Sequence, residues 1–401
     1  MSAPMRRVVV VGASLAGLRA AERLRAEGFD GTVTMVGDEP HRPYDRPPLS
    51  KELLAGTKRA EDLVFAVDDD ALRLDWALGQ RAVGLDVDRR VVVTDGGEHP
   101  FDGLVVATGS TPRMLPGFDP SLPNVFALRT LDDALGLRAL LEASAGLRLL
   151  IVGSGFIGVE VAATARALGA EVTIVSLDRP LAVAGELVSD VCSAMLADHG
   201  VDVRVGGPRI ASVLSGERFE AVVLEDGSRI EADAVVVAVG ARPATDWLEG
   251  SGLPLDDGVV CDASGAVAGT ERIVAAGDVA RWPNELLGGL AMRIEHWTNA
   301  TEGGAAAART LLHGSGPETA YRPVPGFWSD HFGVRLQSVG LPALADRFEL
   351  VDGTVEERRF AAAAYRGEQL VGCVSYASPR ALVQYRLRLA REGFAPEAVA
   401  S

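Results

Sequence analysis

Two short stretches constrain this chain more than anything else in it. Near the start, Val8-Val9-Val10-Val11 runs into Gly12-Ala13-Ser14-Leu15-Ala16-Gly17, and near the middle Leu149-Leu150-Ile151-Val152 runs into Gly153-Ser154-Gly155-Phe156-Ile157-Gly158. Each is an apolar strand signal, then a glycine turn, then an alanine-rich helical pattern. Glycines at this spacing let the backbone turn sharply and approach a pyrophosphate, which rests on the positive end of the following helix. The expected fold is α/β, with two Rossmann-like dinucleotide-binding domains. Two such units imply two dinucleotides that can exchange electrons.

The first unit departs from the pattern at its middle glycine, which is Ser14. A ligand there must tolerate or hydrogen-bond a hydroxymethyl group. A second strand, Thr32-Val33-Thr34-Met35-Val36, ends at Gly37-Asp38-Glu39. That is about 20 residues on, where an acid takes ribose hydroxyls. Asp38 is the candidate and Glu39 the fallback, against the plainer reading of a solvated acidic turn.

At 401 residues the chain is too long for one core and is expected to form two or three domains. A net charge of −16 speaks against nonspecific binding of nucleic acid, whose phosphates it repels. No apolar run approaches the roughly 18 residues of a membrane span. Met5-Arg6-Arg7 and the valines after it look like a signal peptide, but the turn glycines interrupt the apolar core such a peptide needs. A cytoplasmic protein is expected. Cys192, Cys261 and Cys373 lie far apart, with no Cys-x-x-Cys pair, iron–sulfur ligand set or zinc signature. Redox chemistry must then be carried by bound organic cofactors.

Val105-Val106-Ala107-Thr108-Gly109 reads as a buried strand and turn, followed by a Pro/Gly-rich linker from Thr111 to Gly117. The second unit closes on a strand, Ala234 to Gly240, and another linker, Ala241-Arg242-Pro243. Ile273-Val274-Ala275-Ala276-Gly277-Asp278 looks like a strand returning to the first domain. From about Tyr321 the pattern turns to alternating segments, Val351 to Phe360 and Gln369 to Tyr376, which suggests a small α+β domain. The expected division is 1–112 and 242–320 for a first domain in two segments, 113–241 for an inserted second and 321–401 for a third.

Longer motifs add to this. Pro43-Tyr44-Asp45-Arg46-Pro47-Pro48-Leu49-Ser50-Lys51 is the most specific, supported by Leu128-Arg129-Thr130, Ala276-Gly277-Asp278-Val279-Ala280, Arg293 to Ala300 and Phe327-Trp328-Ser329-Asp330. Together, along essentially the whole chain, they resemble the FAD-dependent, single-component ferredoxin reductases of bacterial oxygenase systems, the group of putidaredoxin reductase and the biphenyl-type dioxygenase reductases. The resemblance implies a glutathione-reductase-like arrangement: an FAD domain in two segments, an inserted NAD domain and a C-terminal domain. It also implies that Gly12, Ser14, Leu15, Ala16, Gly17 and Asp38 hold the adenosine and pyrophosphate half of FAD. Glu39 is the fallback for Asp38, and Arg46, Pro48, Lys51, Ala82, Ala107, Thr108, Gly109, Arg129, Gly277, Asp278, His296 and Trp297 would surround the rest. Gly153, Gly155, Phe156, Ile157, Gly158 and Gly240 would form the nicotinamide dinucleotide site.

By the same resemblance Lys51 and Glu160 are the catalytic pair. A cation near flavin N5 favours hydride acceptance, and the carboxylate keeps the lysine charged and placed. A surface salt bridge is the plainer alternative for either residue. Trp297 stands at an expected helix start, where the dipole can stabilise negative charge on a reduced flavin, and His296 is read as structural. The implied reaction takes a hydride from NADH and passes two electrons singly to a [2Fe–2S] ferredoxin that feeds an oxygenase or cytochrome P450. Disulfide reductases of this fold need a cysteine pair where this chain has Leu49 to Leu54, and peroxidase-like relatives carry a cysteine where His41-Arg42 stand.

Cofactor choice rests on Ser176, Asp178 and Arg179. NADH-using relatives place a Glu near Ser176, Asp178 can substitute for it, and Arg179 suits the 2′-phosphate of NADPH. NADH is favoured, with NADPH as the alternative. Other readings are a reductase of rubredoxin or of a small radical such as monodehydroascorbate, and a non-catalytic FAD-binding interaction protein. Arg42, Arg46 and the stretch from Arg380 to Arg391 are candidates for a basic docking face, although Arg386, Arg388 and Arg391 read more simply as a solvated helix face.

Overall fold

The computed structural model describes residues 4–394, so the outer ends of the expected first and last segments, 1–3 and 395–401, lie outside the described residues. The β-branched run Arg7–Val11 is the middle of a five-stranded parallel sheet, in the order Ile273–Ala275, Gly103–Val106, Arg7–Val11, Thr32–Gly37 and Leu74–Leu78. Val8, Val9, Val10 and Val11 are buried, as a central strand covered on both faces requires. The strand Ile273–Ala275 comes back into this sheet after the whole second unit has been traversed.

The second unit repeats the plan. Its parallel order is Asp202–Val205, Glu171–Ser176, Arg148–Val152, Ala234–Val237 and Val125–Phe126. The two expected linkers are not slack: Ser110–Pro112 pairs antiparallel with Ala241–Pro243, so the outgoing and returning chain form one ribbon.

After Tyr321 the chain forms a five-stranded antiparallel sheet, Gly326–His331, Val334–Gly340, Gln369–Tyr376, Arg359–Arg366 and Arg347–Thr354, backed by the helix Arg380–Glu392. The expected segment Val351 to Phe360 is corrected here. It holds the end of one strand, a turn and the start of the next, since Arg347–Thr354 and Arg359–Arg366 pair antiparallel as a hairpin across it.

Close backbone packing explains the small residues. The helix Leu15–Ala26 lies against the helix Trp297–His313, and a Cβ on Gly304 would sit 2.2 Å from the Ala16 carbonyl oxygen. No residue but glycine permits that contact, which brings the start of one helix to the side of the other.

Candidate functional site

The two glycine turns are built alike. Gly12 has φ +118°, and a Cβ on it would lie 2.0 Å from the Ala107 oxygen; Gly153 has φ +103° and its Cβ would lie 2.3 Å from the Ala238 oxygen. A Cβ on Gly17 or Gly158 would strike the oxygen of the first glycine of its own turn. The middle position differs. Ser14 and Gly155 cap their helices with extended backbone at negative φ, and a Cβ on Gly155 meets no atom within 4 Å. Serine is therefore free of strain at position 14.

Between the first sheet, the inserted unit and the helix Trp297–His313 lies a cleft of about 240 Å³. Ser14, Leu15 and Ala16 line one end with the first turn of their helix, and His296, Trp297 and Ala300 bring the start of the second helix to the same cleft. Ala107, Thr108, Gly109, Arg46, Arg129, Gly277, Asp278 and Ile157 complete the expected lining. Both helix N-termini favour negative charge at the cleft.

Asp278 is firmly placed. Its Oδ2 accepts from Ser110 Oγ at 2.9 Å and Arg129 Nη2 at 3.2 Å, while its backbone oxygen accepts from Arg293 at 2.9 Å. Arg129 reaches it from a bent backbone, with Leu128 at φ +46° and a capping box at Thr130 and Asp133 beginning the next helix. Trp297 Nε1 donates to Asp45 Oδ1 at 2.8 Å, and its ring meets Trp328 edge-on with centroids 5.9 Å apart. Burial pushes His296 down to about 4, so at neutral pH it is uncharged, as a structural reading requires. Its Nδ1 has no partner among the described residues.

Lys51 and Glu160 meet across the unit boundary. Lys51 Nζ lies 3.1 Å from Glu160 Oε1 and 3.6 Å from Asp330 Oδ2, so the surface-pair alternative fails. Glu160 is 6% exposed, and it also accepts from Ser50 Oγ at 2.5 Å, Ser329 Oγ at 2.8 Å and the Asp330 N–H at 3.1 Å. Three segments of the fold converge on this one carboxylate.

Several expected residues stand elsewhere. Asp38 is exposed at the end of Thr32–Gly37, while Glu39 is engaged by Tyr44 Oη at 2.6 Å and Arg46 Nη2 at 2.6 Å. Burial raises the Glu39 carboxyl, but the Arg46 charge and the tyrosine hydrogen bond outweigh it and hold the group below the usual carboxylate range. Arg46 thus serves this internal pair and the Arg129 carbonyl, and it offers no docking charge. Pro48 is buried in the turn Pro47–Ser50. Ala82 begins the strand Ala82–Asp86 of a three-stranded antiparallel sheet and does not line the cleft. Arg386, Arg388 and Arg391 pair with Glu302 and Glu392, as a solvated helix face would.

In the inserted unit Phe156 packs on Phe327 with centroids 4.5 Å apart, and Gly240, at φ +92°, follows the strand Ala234–Val237. Ser176 accepts from Ser154 Oγ at 2.8 Å, and the Asp178 carbonyl accepts from the same hydroxyl at 2.9 Å. Arg179 is paired with Asp190, which leaves it less available to a 2′-phosphate. Sequence reasoning assigned no role to Ser50, Ser329, Asp330, Asp45 or Tyr44. Their signal was their place inside the motifs Pro43 to Lys51 and Phe327 to Asp330.

Two dinucleotide-binding sheets sharing an interdomain cleft define a pyridine-nucleotide-dependent flavoprotein, and the chain belongs to the pyridine nucleotide-disulphide oxidoreductase family, whose model matches residues 6–304. A reductase C-terminal model matches residues 326–401. Membership makes the protein an oxidoreductase that uses FAD and NADH. It is 38% identical to rhodocoxin reductase of Rhodococcus erythropolis over 96% of this chain and 90% of that one. It is 35% identical to putidaredoxin reductase of Pseudomonas putida over 91% of this chain and 87% of that one. The solved covalent complex of putidaredoxin reductase with putidaredoxin matches with a TM-score of 0.89 at 32% identity, covering 96% and 93% of the two chains.

The disulphide chemistry in the family name is not available to this chain. Cys192, Cys261 and Cys373 are free and buried, and burial pushes each thiol up to about 12.

Proposed function

We propose that the protein carries electrons from NADH through FAD to a small [2Fe–2S] ferredoxin serving an oxygenase or a cytochrome P450. The observation that carries the reading is the cleft on which two helix N-termini converge beside the buried Lys51–Glu160 pair. The names of the relatives support the partner class, since several are ferredoxin--NAD(+) reductase components of dioxygenase systems. The division into 1–112 with 242–320, 113–241 and 321–401 goes with this reading, supported by the two parallel sheets and the ribbon of Ser110–Pro112 with Ala241–Pro243. No helix among the described residues is long and apolar enough to cross a membrane, and we assign the protein to the cytoplasm, where three unpaired cysteines are at home.

The residues present suit FAD. The space left beside Ser14 and the N–H groups of the first helical turn suit its pyrophosphate, and Asp38, exposed and with no side-chain partner among the described residues, suits ribose hydroxyls. Asp278, oriented by Ser110 and Arg129, is held ready to accept hydrogen bonds from a polyol. When bound, FAD supplies a ring that takes a hydride and releases electrons one at a time. Behind the cleft-lining Ser50, Glu160 holds the Lys51 ammonium, and the Trp297 helix directs its positive end into the cleft. Ser176 and Asp178 leave room for an unphosphorylated ribose.

Anaerobic stopped-flow of the yellow protein with NADH and with NADPH, followed by oxidised [2Fe–2S] ferredoxin, tests the reading. Rapid bleaching by NADH and reoxidation by ferredoxin is expected. Bleaching without reoxidation would redirect the search to rubredoxin or a small radical, and a protein without flavin would overturn the assignment.

A further inference from the structure

One NADH and two oxidised ferredoxins give one NAD+, two reduced ferredoxins and one proton. The electrons of the hydride depart singly, so its proton must leave the cofactor cleft at every turnover. We propose that Ser50, Glu160, Lys51 and Asp330 form the proton's exit, leading from the cofactor cleft to a second, water-accessible cleft. The proposal rests on assigning the first cleft to FAD.

Ser50 lines the cofactor cleft, and its neighbour Lys51 lines the other. The second cleft, of about 710 Å³, lies where Lys51, the end of the helix Phe156–Ala167 and Asp330 to Arg335 meet, and is roomy enough for many waters. The two clefts share no lining residue, and the buried network joins them. Ser50 Oγ donates to Glu160 Oε2 at 2.5 Å, Lys51 Nζ lies 3.1 Å from Glu160 Oε1, and Asp330 Oδ2 is 3.6 Å beyond. Exposure rises along the way: the side chains of Glu160, Lys51, Asp330 and Arg335 are 7%, 11%, 29% and 56% exposed.

The transfer balances. A proton reaching Ser50 Oγ displaces the hydroxyl proton onto Glu160, leaving serine neutral. Lys51, between Glu160 and Asp330, takes that proton from Glu160 as it passes one of its own to water beside Asp330, so it stays an ammonium throughout and the network returns to its starting state with one proton delivered outside. Ser329 Oγ and the Asp330 N–H hold the Glu160 carboxylate in place throughout. Arg335 grips Asp330 at 2.7 and 3.0 Å, keeping the carboxylate at the mouth of the cleft. Of the other titratable groups there, His331 turns Nε2 to Tyr376 Oη at 3.3 Å, and Glu52 and His199 lie beside the path.

Enzyme reduced with one equivalent of NADH is mixed with ferricyanide, which needs no docking surface, in weakly buffered solution containing phenol red. Flavin absorbance reports electron departure and the dye reports proton release in the same shot. In the wild type the two traces should coincide. In Ser50→Ala and in Asp330→Asn proton release should lag flavin reoxidation by at least about tenfold, and Asp330→Glu should bring the traces back together. Coincident traces in both of the first two variants would overturn the exit. Failure of NADH to bleach the wild type would instead overturn the flavoprotein reading, and the exit with it.

Discussion

Glu160→Ala removes the carboxylate on which three segments meet. Lys51, 11% exposed, would keep only Asp330 at 3.6 Å, while Ser329 Oγ and the Asp330 N–H would lose their acceptor. Breaking a buried ion pair from one side costs about 3–5 kcal/mol, and the orphaned donors favour the upper end. Glu160→Gln keeps the shape: its carbonyl accepts from Lys51, Ser329 and Asp330, its amide donates to Ser50 Oγ, and the serine hydrogen can turn to the Pro47 carbonyl, 3.4 Å away. Its expected loss is about 1 kcal/mol. With an m-value of about 4 kcal/mol/M for a chain this long, Ala shifts the urea midpoint by about 1 M and Gln by about 0.3 M. Tryptophan fluorescence follows the transition, since Trp297 and Trp328 stand near the junction. Alanine and glutamine variants with the same midpoint would refute the claim that this carboxylate ties the three segments together.

Asp278→Ala should lose FAD on gel filtration, read from the ratio of flavin to protein absorbance; full retention would dismiss the assigned role. Gly153→Ala should lower the melting temperature, because its φ of +103° and the 2.3 Å approach to Ala238 leave no space, whereas Gly155→Ala should melt like wild type and only raise the KM for NADH. Equal melting temperatures for the two would contradict the turn geometry. Burial pushes His331, 2% exposed, down to about 4, below its unfolded value of 6.5. The unfolded chain therefore binds the proton first, so stability is full above about pH 6.5 and falls by up to about 3 kcal/mol as pH drops toward 4. His296 is depressed in the same way, so His331→Gln should roughly halve the pH dependence of the urea midpoint between about pH 6.5 and 4.5, and an unchanged slope would remove His331 as a cause.

Much of the fold was legible because its signals are local. A run such as Val8 to Val11 marks a strand buried on both faces, and Gly12 and Gly17 mark a turn that nothing larger can make. Ile273 to Asp278 was readable as a returning strand for the same reason, and it joins the first sheet beside Gly103–Val106. The segment Val351 to Phe360 misled because the turn between its two strands, Val355 to Arg358, carries no Gly or Pro to mark it. Arg46 misled because charge in a sequence does not say whether the partner is solvent or Glu39.

By itself the sequence determined the two dinucleotide-binding units, the order of strands and helices around them and the absence of a thiol pair. Each depends on residues within about 20 positions, where periodicity and turn stereochemistry act directly. Only the tertiary structure decided that Lys51, Glu160 and Asp330 share one network, that Trp297 rests on Asp45 and that Ser50 and Lys51 face different clefts. Trp297 and Asp45 are 252 residues apart, and Lys51 and Asp330 are farther apart still. What unites them is the path of the chain out of the first sheet and back along the paired strands Ser110–Pro112 and Ala241–Pro243, which no local pattern encodes.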